Sequence, residues 1–465
     1  MAAATELRHI LVEFYSDSGQ SLQAQQHKRA LEGRLLGFQA LENSHVISCE
    51  VLAEAAARST PGDDFLLYFC GSVLEDVVQK RWERLAAGDR HRIRAQLAEI
   101  LVRQSDSLPP WVSGKLAKAY ASLGRMGWPD SEPTFFSDLE GLAAHGDGSD
   151  GDSSSGNGSG RAIGHALLAV AVEELVRDDT PLPSARRARL SEALTAEMPV
   201  LLDLLTATVA GAAAGFGSLG RDRNGATAVP YRRALPHALR CMLALVGWAP
   251  LGDHLDPRLF AALFGVVGAA VSAVGNSGSG GGDAAELREC AADAVAVVTE
   301  VLSKRHVPRR LAEFVAGLAT DMLSLLRALT ADGGITMGAL NERLLEQITE
   351  FLGGFLSQHL DRMLRLAADP ATASNFPLGD FLHLLTTFTF QQPSAAGLQR
   401  CLLPWSSFAC FVTAHGHDGD GGGGNNPGLV LARQHAQGLG GLCQTLMSRI
   451  LFVTNAEVLS ELDDE

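Results

Sequence analysis

The stretch CMLALVGWAPLGDHLDPRLF, residues 241 to 260, joins two apolar segments through a turn that contains proline. The first segment continues an apolar stripe with helical spacing: Leu235, Leu239, Met242, Leu243 and Val246. Proline has no amide hydrogen and its ring collides with the preceding turn, so this helix must end before Pro250. Asp256 followed by Pro257 is typical of a cap and a first helical residue. The stretch therefore predicts an αα-hairpin whose turn is covered by Trp248.

The same helical spacing recurs along the whole chain. Similar stripes contain Val51 and Leu52, Leu66 and Val73, Ile93 and Leu97, Val112 and Leu116, Leu287 and Ala291, Leu318 and Met322, and Leu344 and Ile348. No stretch shows the sustained two-residue alternation of a half-buried strand. The sequence therefore predicts an all-α fold. We expect an α-α superhelix, a HEAT-repeat solenoid of antiparallel helix pairs of about 40 to 47 residues, because such a pair cannot bury its own stripe alone.

Polar and proline residues mark where individual helices should begin and end. Asp89 predicts the cap of one helix, and the pair Pro109-Pro110 opens a helix that we expect to end at Gly124. Asp283, followed three residues later by Glu286, predicts a capping box at the start of another helix.

Three glycine- and serine-rich tracts interrupt the helical pattern. Such tracts bury too little apolar surface to offset chain entropy, so we expect flexible segments. One of them, at 146–160, predicts a linker between a domain at 1–145 and a domain at 161–465. The other two, at 275–283 and 415–428, are predicted as loops within the second domain.

The composition limits the classes of partner. The chain has 465 residues and a net charge of −15, which argues against nucleic acid as the main partner, since phosphate binding needs clustered Lys and Arg. Two short basic runs, at 186–189 and 304–310, could be nuclear-import signals. Solvated helix ends beside the helix dipole are the favoured interpretation.

Cysteine usage indicates a reducing compartment, and hydropathy indicates that no segment inserts into a membrane. The seven cysteines never form a Cys-x-x-Cys pair, so neither a disulfide framework nor a zinc site is predicted. The N-terminal residues lack the pattern of a secretory signal. The longest charge-free apolar run, Leu259 to Val274, would span only about 24 Å as a helix. We therefore expect a buried helix and no membrane insertion.

Motifs that could carry chemistry have simpler explanations here. Residues 215–220 match G-x-G-x-x-G, but a dinucleotide site needs a preceding strand, so a loop that ends a helix is favoured. His415, His417 and Asp418 lie in a glycine tract without preorganisation, and single histidines such as His165 are typical of half-buried helix positions. The sequence predicts no enzyme, no metal and no cofactor. An enzymatic alternative would require a buried convergent pocket.

Several sequence blocks resemble importin-β-like nuclear transport receptors, the karyopherins. The opening hairpin is similar to the Trp-x-Pro-Leu hairpin of exportins, and FLLYFCGSVLEDVVQKRWERL (65–85) and LPPWVSGKLAKAYASLGRMGWPD (108–130) resemble their amino-terminal domain. Where that family has Asp-Trp-Pro, this chain has Gly127-Trp128-Pro129. Residues 381–408 and 450–465 resemble the exportin branch that carries profilin-bound actin out of the nucleus.

The resemblance implies a nuclear export receptor that shuttles between nucleus and cytoplasm. In this family RanGTP and cargo each strengthen the binding of the other, and GTP hydrolysis in the cytoplasm removes that gain. The amino-terminal repeats, here 1–145, would hold Ran on their inner face. Grooves between outer helices would accept Phe-Gly repeats of the nuclear pore, and the cargo would be profilin-actin.

Two pairs of charged residues are candidates for Ran contacts. Glu50 and Glu54 lie one turn apart opposite the apolar stripe of their helix, and Asp76 and Lys80 do so on the next helix. A solvated face with a helical ion pair is an equally good interpretation of these four residues. A generic α-solenoid scaffold that works without Ran also remains open.

The end of the sequence raises a separate expectation. Exportin-like receptors are longer, and a solenoid needs a polar capping repeat at each end. We therefore expect a partial chain that exposes an apolar face near residues 439–452.

Overall fold

A computed structural model describes most of the chain. The described residues are 2–16, 22–58, 63–104, 107–145, 159–177, 182–217, 229–248, 256–274, 281–303, 311–368, 376–414, 433 and 436–450. The regular structure in these ranges is helical, without a strand. The predicted all-α fold is therefore confirmed.

Twenty α-helices follow one another along the described residues. They are α1 (Ala2–Ser16), α2 (Leu22–Ala40), α3 (Ser44–Arg58), α4 (Asp63–Arg81), α5 (Ala87–Arg103), α6 (Pro110–Gly127), α7 (Phe135–His145), α8 (Ser159–Val176), α9 (Ser184–Gly217), α10 (Val229–Trp248), α11 (Pro257–Ala273), α12 (Gly281–Ser303), α13 (Leu311–Thr330), α14 (Ile335–Ala339), α15 (Glu342–Gln358), α16 (Leu360–Ala368), α17 (Leu378–Phe390), α18 (Ala395–Arg400), α19 (Leu402–Ala414) and α20 (Ala436–Ile450). A short 3₁₀ helix, Trp82–Arg84, follows α4.

The helices form two compact units, residues 1–249 and 250–465. In the first unit α4, α6, α8 and α10 lie side by side, each packed on the next. Each of α3, α5, α7 and α9 packs on the helix that follows it, and so builds a second layer. This stacking of helix pairs is the arrangement that HEAT-like repeats require to bury their stripes.

The second unit also has two layers. In one of them α12, α15 and α19 are packed in that order, and in the other α11, α13 and α17 are. The layers meet where α11 packs on α12 and where α17 contacts α18, which in turn lies on α15. The core of this unit is rich in phenylalanine, and Phe351, Phe355 and Phe381 are almost completely buried.

The opening hairpin is partly described. α10 ends at Trp248, and α11 begins at Pro257 with the Asp256 side chain accepting a hydrogen bond of 2.8 Å from the Arg258 amide, as predicted. The turn itself, residues 249–255, lies outside the described residues. Most of the predicted stripe is buried, but Leu243 is 38 % exposed, so its place in the stripe was wrong.

Three predicted helix boundaries were also wrong. α5 begins at Ala87 with Ala86 as its cap, so Asp89 lies inside the first turn. α6 begins at Pro110 as predicted but continues past Gly124 to Gly127. α12 begins at Gly281, two residues before the predicted cap Asp283. In each case a polar or glycine residue is compatible with the helix interior because packing of the apolar stripe extends the helix beyond it.

The flexible tracts lie mostly outside the described residues. Residues 146–158 of the predicted linker are among these, and α8 begins at Ser159. The helices on either side of this tract, α7 and α8, pack against each other within the first unit. Residues 275–280 and 415–428 also lie outside the described residues, and with them His415, His417 and Asp418. The prediction of a loop was wrong for 281–283, which begin α12. The second basic run, 304–310, lies outside the described residues as well.

The last described helix has a mixed surface. In α20 the side chain of Met447 is 65 % exposed and Cys443 is exposed, whereas Leu442 is buried. Residues 451 and 452, the end of the expected apolar face, lie outside the described residues.

Candidate interaction surface

The four nominated Ran contacts lie on neighbouring helices of the first unit. On α3, Glu50 is exposed and Glu54 accepts a hydrogen bond of 2.7 Å from Arg58. On α4, Asp76 and Lys80 form an ion pair of 2.5 Å. The Glu54–Arg58 pair and the Asp76–Lys80 pair each join residues four positions apart on one helix. Such a pair contributes only about 0.3–0.5 kcal/mol. The charges remain accessible to a partner, and the Lys80 side chain is 71 % exposed.

A larger group of charges connects α4, α6 and α8, and sequence analysis did not identify it. Glu75 on α4 is paired with Lys115 of α6, and its other oxygen lies 3.5 Å from Lys118 Nζ. The Lys118 ammonium group also lies 3.9 Å from Glu174 of α8. Glu174 is in turn 3.6 Å from Arg125 of α6.

Two further arginines extend this group. Arg177 contacts Glu174 at 3.0 Å, and Arg240 of α10 is paired with Glu173. We call the whole set the charge ladder. Its members are Glu75, Lys115, Lys118, Arg125, Glu173, Glu174, Arg177 and Arg240.

The two carboxylates that join the helices of the ladder are buried. The side chains of Glu75 and Glu174 are only 10 % and 7 % exposed, whereas those of Lys118 and Arg177 are 40 % and 43 % exposed. Arg125, at 6 %, is as buried as these carboxylates. Buried carboxylates require cations beside them, since an unpaired buried charge costs several kcal/mol. The most exposed members of the ladder are therefore cations.

Four aromatic rings from three helices lie at one end of the ladder. Tyr15 of α1 stacks on Phe65 of α4 with ring centroids 4.2 Å apart, and Phe65 lies 5.6 Å from Trp111 of α6. Trp111 also lies 5.3 Å from Tyr68 of α4. We call these four rings the aromatic row. It adjoins the ladder because the Lys115 ammonium lies 5.7 Å from the centroid of Tyr68.

The first basic run makes contacts within the protein. Arg186, near the start of α9, donates 2.9 Å hydrogen bonds to the Arg125 carbonyl and to Asp130. Arg189 lies 2.6 Å from Asp130. The expectation of a solvated helix end was therefore wrong for Arg186, whose side chain is only 17 % exposed.

These contacts fix the turn that resembles Asp-Trp-Pro. The Trp128 side chain is buried, with its ring 4.7 Å from Phe136. A Cβ atom at Gly127 would lie 2.7 Å from the Trp82 ring. An aspartate at this position would therefore require movement of Trp82 and of the Glu132 side chain.

The remaining candidates for chemistry have structural environments. α9 runs through Gly215 to Gly217, so a helix and not a strand precedes the G-x-G-x-x-G match. His165 is completely buried, and its ring nitrogens contact the Arg161 carbonyl at 2.9 Å and the Thr208 hydroxyl at 3.0 Å. Burial lowers the pKa of His165 to about 4, so the ring is neutral at physiological pH.

Other features bear on a metal, a small molecule or a membrane. Within the described ranges, no three His, Cys, Asp or Glu side chains are grouped as metal ligands. A cleft of about 110 Å³ lies between α15 and α18, smaller than the roughly 300 Å³ of a typical ligand pocket.

α9 is long and apolar enough to span a membrane by length and composition alone. Its buried side chains, from Leu190 to Ala212, follow one side of the helix, as in a core helix.

Comparison with known sequences finds a family that part of this chain is similar to. Residues 109–291, from α6 to α12, match the family described as "Exportin 1-like protein". This match confirms the resemblance to exportins that the sequence blocks indicated.

The chain is also similar to curated exportin-6 proteins along most of its length. The chain is 25 % identical to Exportin-6-A of Xenopus laevis over 459 residues and 26 % identical to Exportin-6 of Danio rerio over 460 residues. It is 25 % identical to Exportin-6 of Homo sapiens over 448 residues. These alignments cover 87–88 % of the chain, which spans 38 % of the length of each relative.

Proposed function

We propose that this protein is a nuclear export receptor that binds RanGTP and a protein cargo together and shuttles between nucleus and cytoplasm. The observation that carries this proposal is the similarity to exportin-6 proteins along 87–88 % of the chain. The two-layered helical units agree with it, since stacked helix pairs offer long surfaces to protein partners. By the same resemblance, the proposed cargo is profilin-actin, and Phe-Gly repeats of the nuclear pore are further partners.

The proposed mechanism is a positive coupling between the two ligands and needs no catalysis by this chain. RanGTP and cargo each bind better when the other is present, typically by 5- to 150-fold for such coupling. Hydrolysis of GTP in the cytoplasm removes Ran and with it the gain in cargo affinity. Reciprocity of binding free energies requires that cargo raise the affinity for RanGTP by the same factor.

The direct test is retention of Ran on the immobilised full chain. Ran loaded with a non-hydrolysable GTP analogue should be retained, Ran with GDP should not, and profilin-actin should increase retention of the GTP form. Equal retention of both nucleotide forms would favour a generic helical scaffold. Absence of retention of either form would refute the export function.

We also propose Glu50, Glu54, Asp76 and Lys80 as Ran contacts. The variant carrying Glu50→Lys and Glu54→Lys should bind RanGTP at least about tenfold more weakly, equivalent to about 1.4 kcal/mol. The matched control carries Glu83→Lys and Glu99→Lys, which change the net charge equally on exposed positions of the same unit. Unchanged affinity of the first variant, or equal loss in both, would remove the assignment of Glu50 and Glu54.

A further inference from the structure

We infer that the face formed by α4, α6 and α8 binds an acidic segment of a partner protein that carries an aromatic side chain at one end. The charge ladder would hold the carboxylates of this segment, and the aromatic row would hold its ring. The inference goes beyond the proposed export function and does not depend on Ran.

One helix supplies both parts of the face. Trp111, Lys115, Lys118 and Arg125 succeed one another on α6 at intervals of four, three and seven residues, which places them along one side of the helix. The opposite side, which includes Leu116, is buried. Trp111 and Lys118, the exposed ends of this row, are seven positions apart, or about 10 Å along the helix axis, and Arg125 is buried beyond Lys118.

Charge favours an acidic partner. The ladder contains five cations and three carboxylates, a local excess of positive charge in a chain whose net charge is −15. Lys118 Nζ lies 3.5 Å from Glu75 and 3.9 Å from Glu174, so neither contact is a short ion pair. An incoming carboxylate can therefore bind Lys118 without breaking a short hydrogen bond.

The aromatic row provides an anchor next to these cations. Tyr15 and Trp111 are 49 % and 44 % exposed, so each ring keeps accessible surface although it also contacts a neighbouring ring. Exposed Tyr and Trp side chains are the residues that most often dominate binding energy at protein interfaces. A partner ring placed on the row would make further contacts at centroid distances of about 4.5–7 Å, as aromatic pairs prefer.

A nucleic acid is a poorer match than a protein segment. Binding to a phosphate backbone gains affinity from many neutralised phosphates, and an excess of two cations in an acidic chain provides few. A short segment with two or three carboxylates matches this excess. The adjoining aromatic row adds affinity that does not depend on charge.

The test measures binding of a fluorescent peptide to the full chain by anisotropy. The probe is a peptide of about ten residues with one phenylalanine near one end followed by glutamates and aspartates, long enough to span about 30 Å when extended. Combined replacement Lys118→Gln and Arg177→Gln should weaken binding about tenfold, and Trp111→Ala by a similar factor. Raising the ionic strength from about 0.05 M to about 0.3 M should weaken binding to the unaltered chain, because exposed charges are then screened.

Three controls decide the outcome. The variant carrying Arg92→Gln and Arg103→Gln removes two exposed cations of α5 outside the ladder and should change affinity less than twofold, while circular dichroism checks that each variant stays folded. A peptide with serine in place of phenylalanine should bind more weakly than the probe. The inference would be overturned by equal losses in the control variant and in the combined Lys118 and Arg177 variant, by equal binding of the two peptides, by absence of binding at low salt, or by tighter binding of a single-stranded RNA of equal length.

Discussion

The contact between α7 and α8 permits a sharp test of the packing in the first unit. Gly164 of α8 lies directly against the α7 backbone: an ideal Cβ atom at this position would be 2.5 Å from the Ala143 nitrogen and 2.8 Å from the Leu142 carbonyl carbon. These are main-chain atoms, which cannot rotate away as a side chain can. Gly164→Ala should therefore force the two helices apart.

The size of the effect follows from these distances. Ordinary van der Waals contact begins at 3.4 Å, so the helices must separate by about 0.9 Å locally. Such overpacking costs about 1–3 kcal/mol. Alanine is favoured over glycine within a helix by up to about 1 kcal/mol, which offsets part of this cost. We expect a net loss of about 1–2 kcal/mol in the free energy of unfolding of the first unit.

The matched control lies on the facing helix. Gly141 of α7 is exposed, and a Cβ atom there would have no neighbour within 4 Å. Gly141→Ala should therefore be neutral or stabilising by up to about 1 kcal/mol through helix propensity. Both variants are compared by urea unfolding of the full chain, followed by circular dichroism and tryptophan fluorescence. A midpoint for Gly164→Ala equal to or above that of Gly141→Ala would show that the close approach of α7 and α8 is wrong.

Two further predictions concern a carboxyl pair and a helix cap. Burial and the facing Glu197 carboxylate raise the pKa of Glu140 from 4.5 to about 7, so this group stabilises the fold fully below pH 4.5 and loses that contribution as the pH rises to about 7. Glu140→Gln should raise the melting temperature above pH 7 and flatten its dependence between pH 4.5 and 7, and parallel pH profiles in the two proteins would contradict this. Asp256→Ala, which removes the acceptor of the Arg258 amide hydrogen bond, should cost about 1 kcal/mol, whereas Asp256→Asn should retain most of the stability. Equal melting temperatures for the alanine variant and the unaltered chain would show that the cap contributes nothing.

Local patterns in the sequence predicted the all-α fold and many of the helices, although not all of their boundaries. A stripe such as Leu344, Ile348 and Phe355 is buried in the structure because its 3.6-residue period can face a core only as a helix. Asp256 with Pro257 marked a helix start correctly, since a cap satisfies amides within the next turn. The resemblance to exportins likewise rested on contiguous blocks, which a comparison of sequences can detect.

The surface charges could not be placed from the sequence. Lys118 meets carboxylates that lie 43 and 56 positions away, and Arg186 reaches the Arg125 carbonyl across 61 positions. On its own helix each of these residues is an ordinary polar position, and only the packing of α4, α6, α8 and α9 selects its partner. Periodicity determines which side of a helix is buried, because that depends on neighbours within one or two turns. The tertiary structure decides which charges meet, because that depends on which helices become neighbours and in what register.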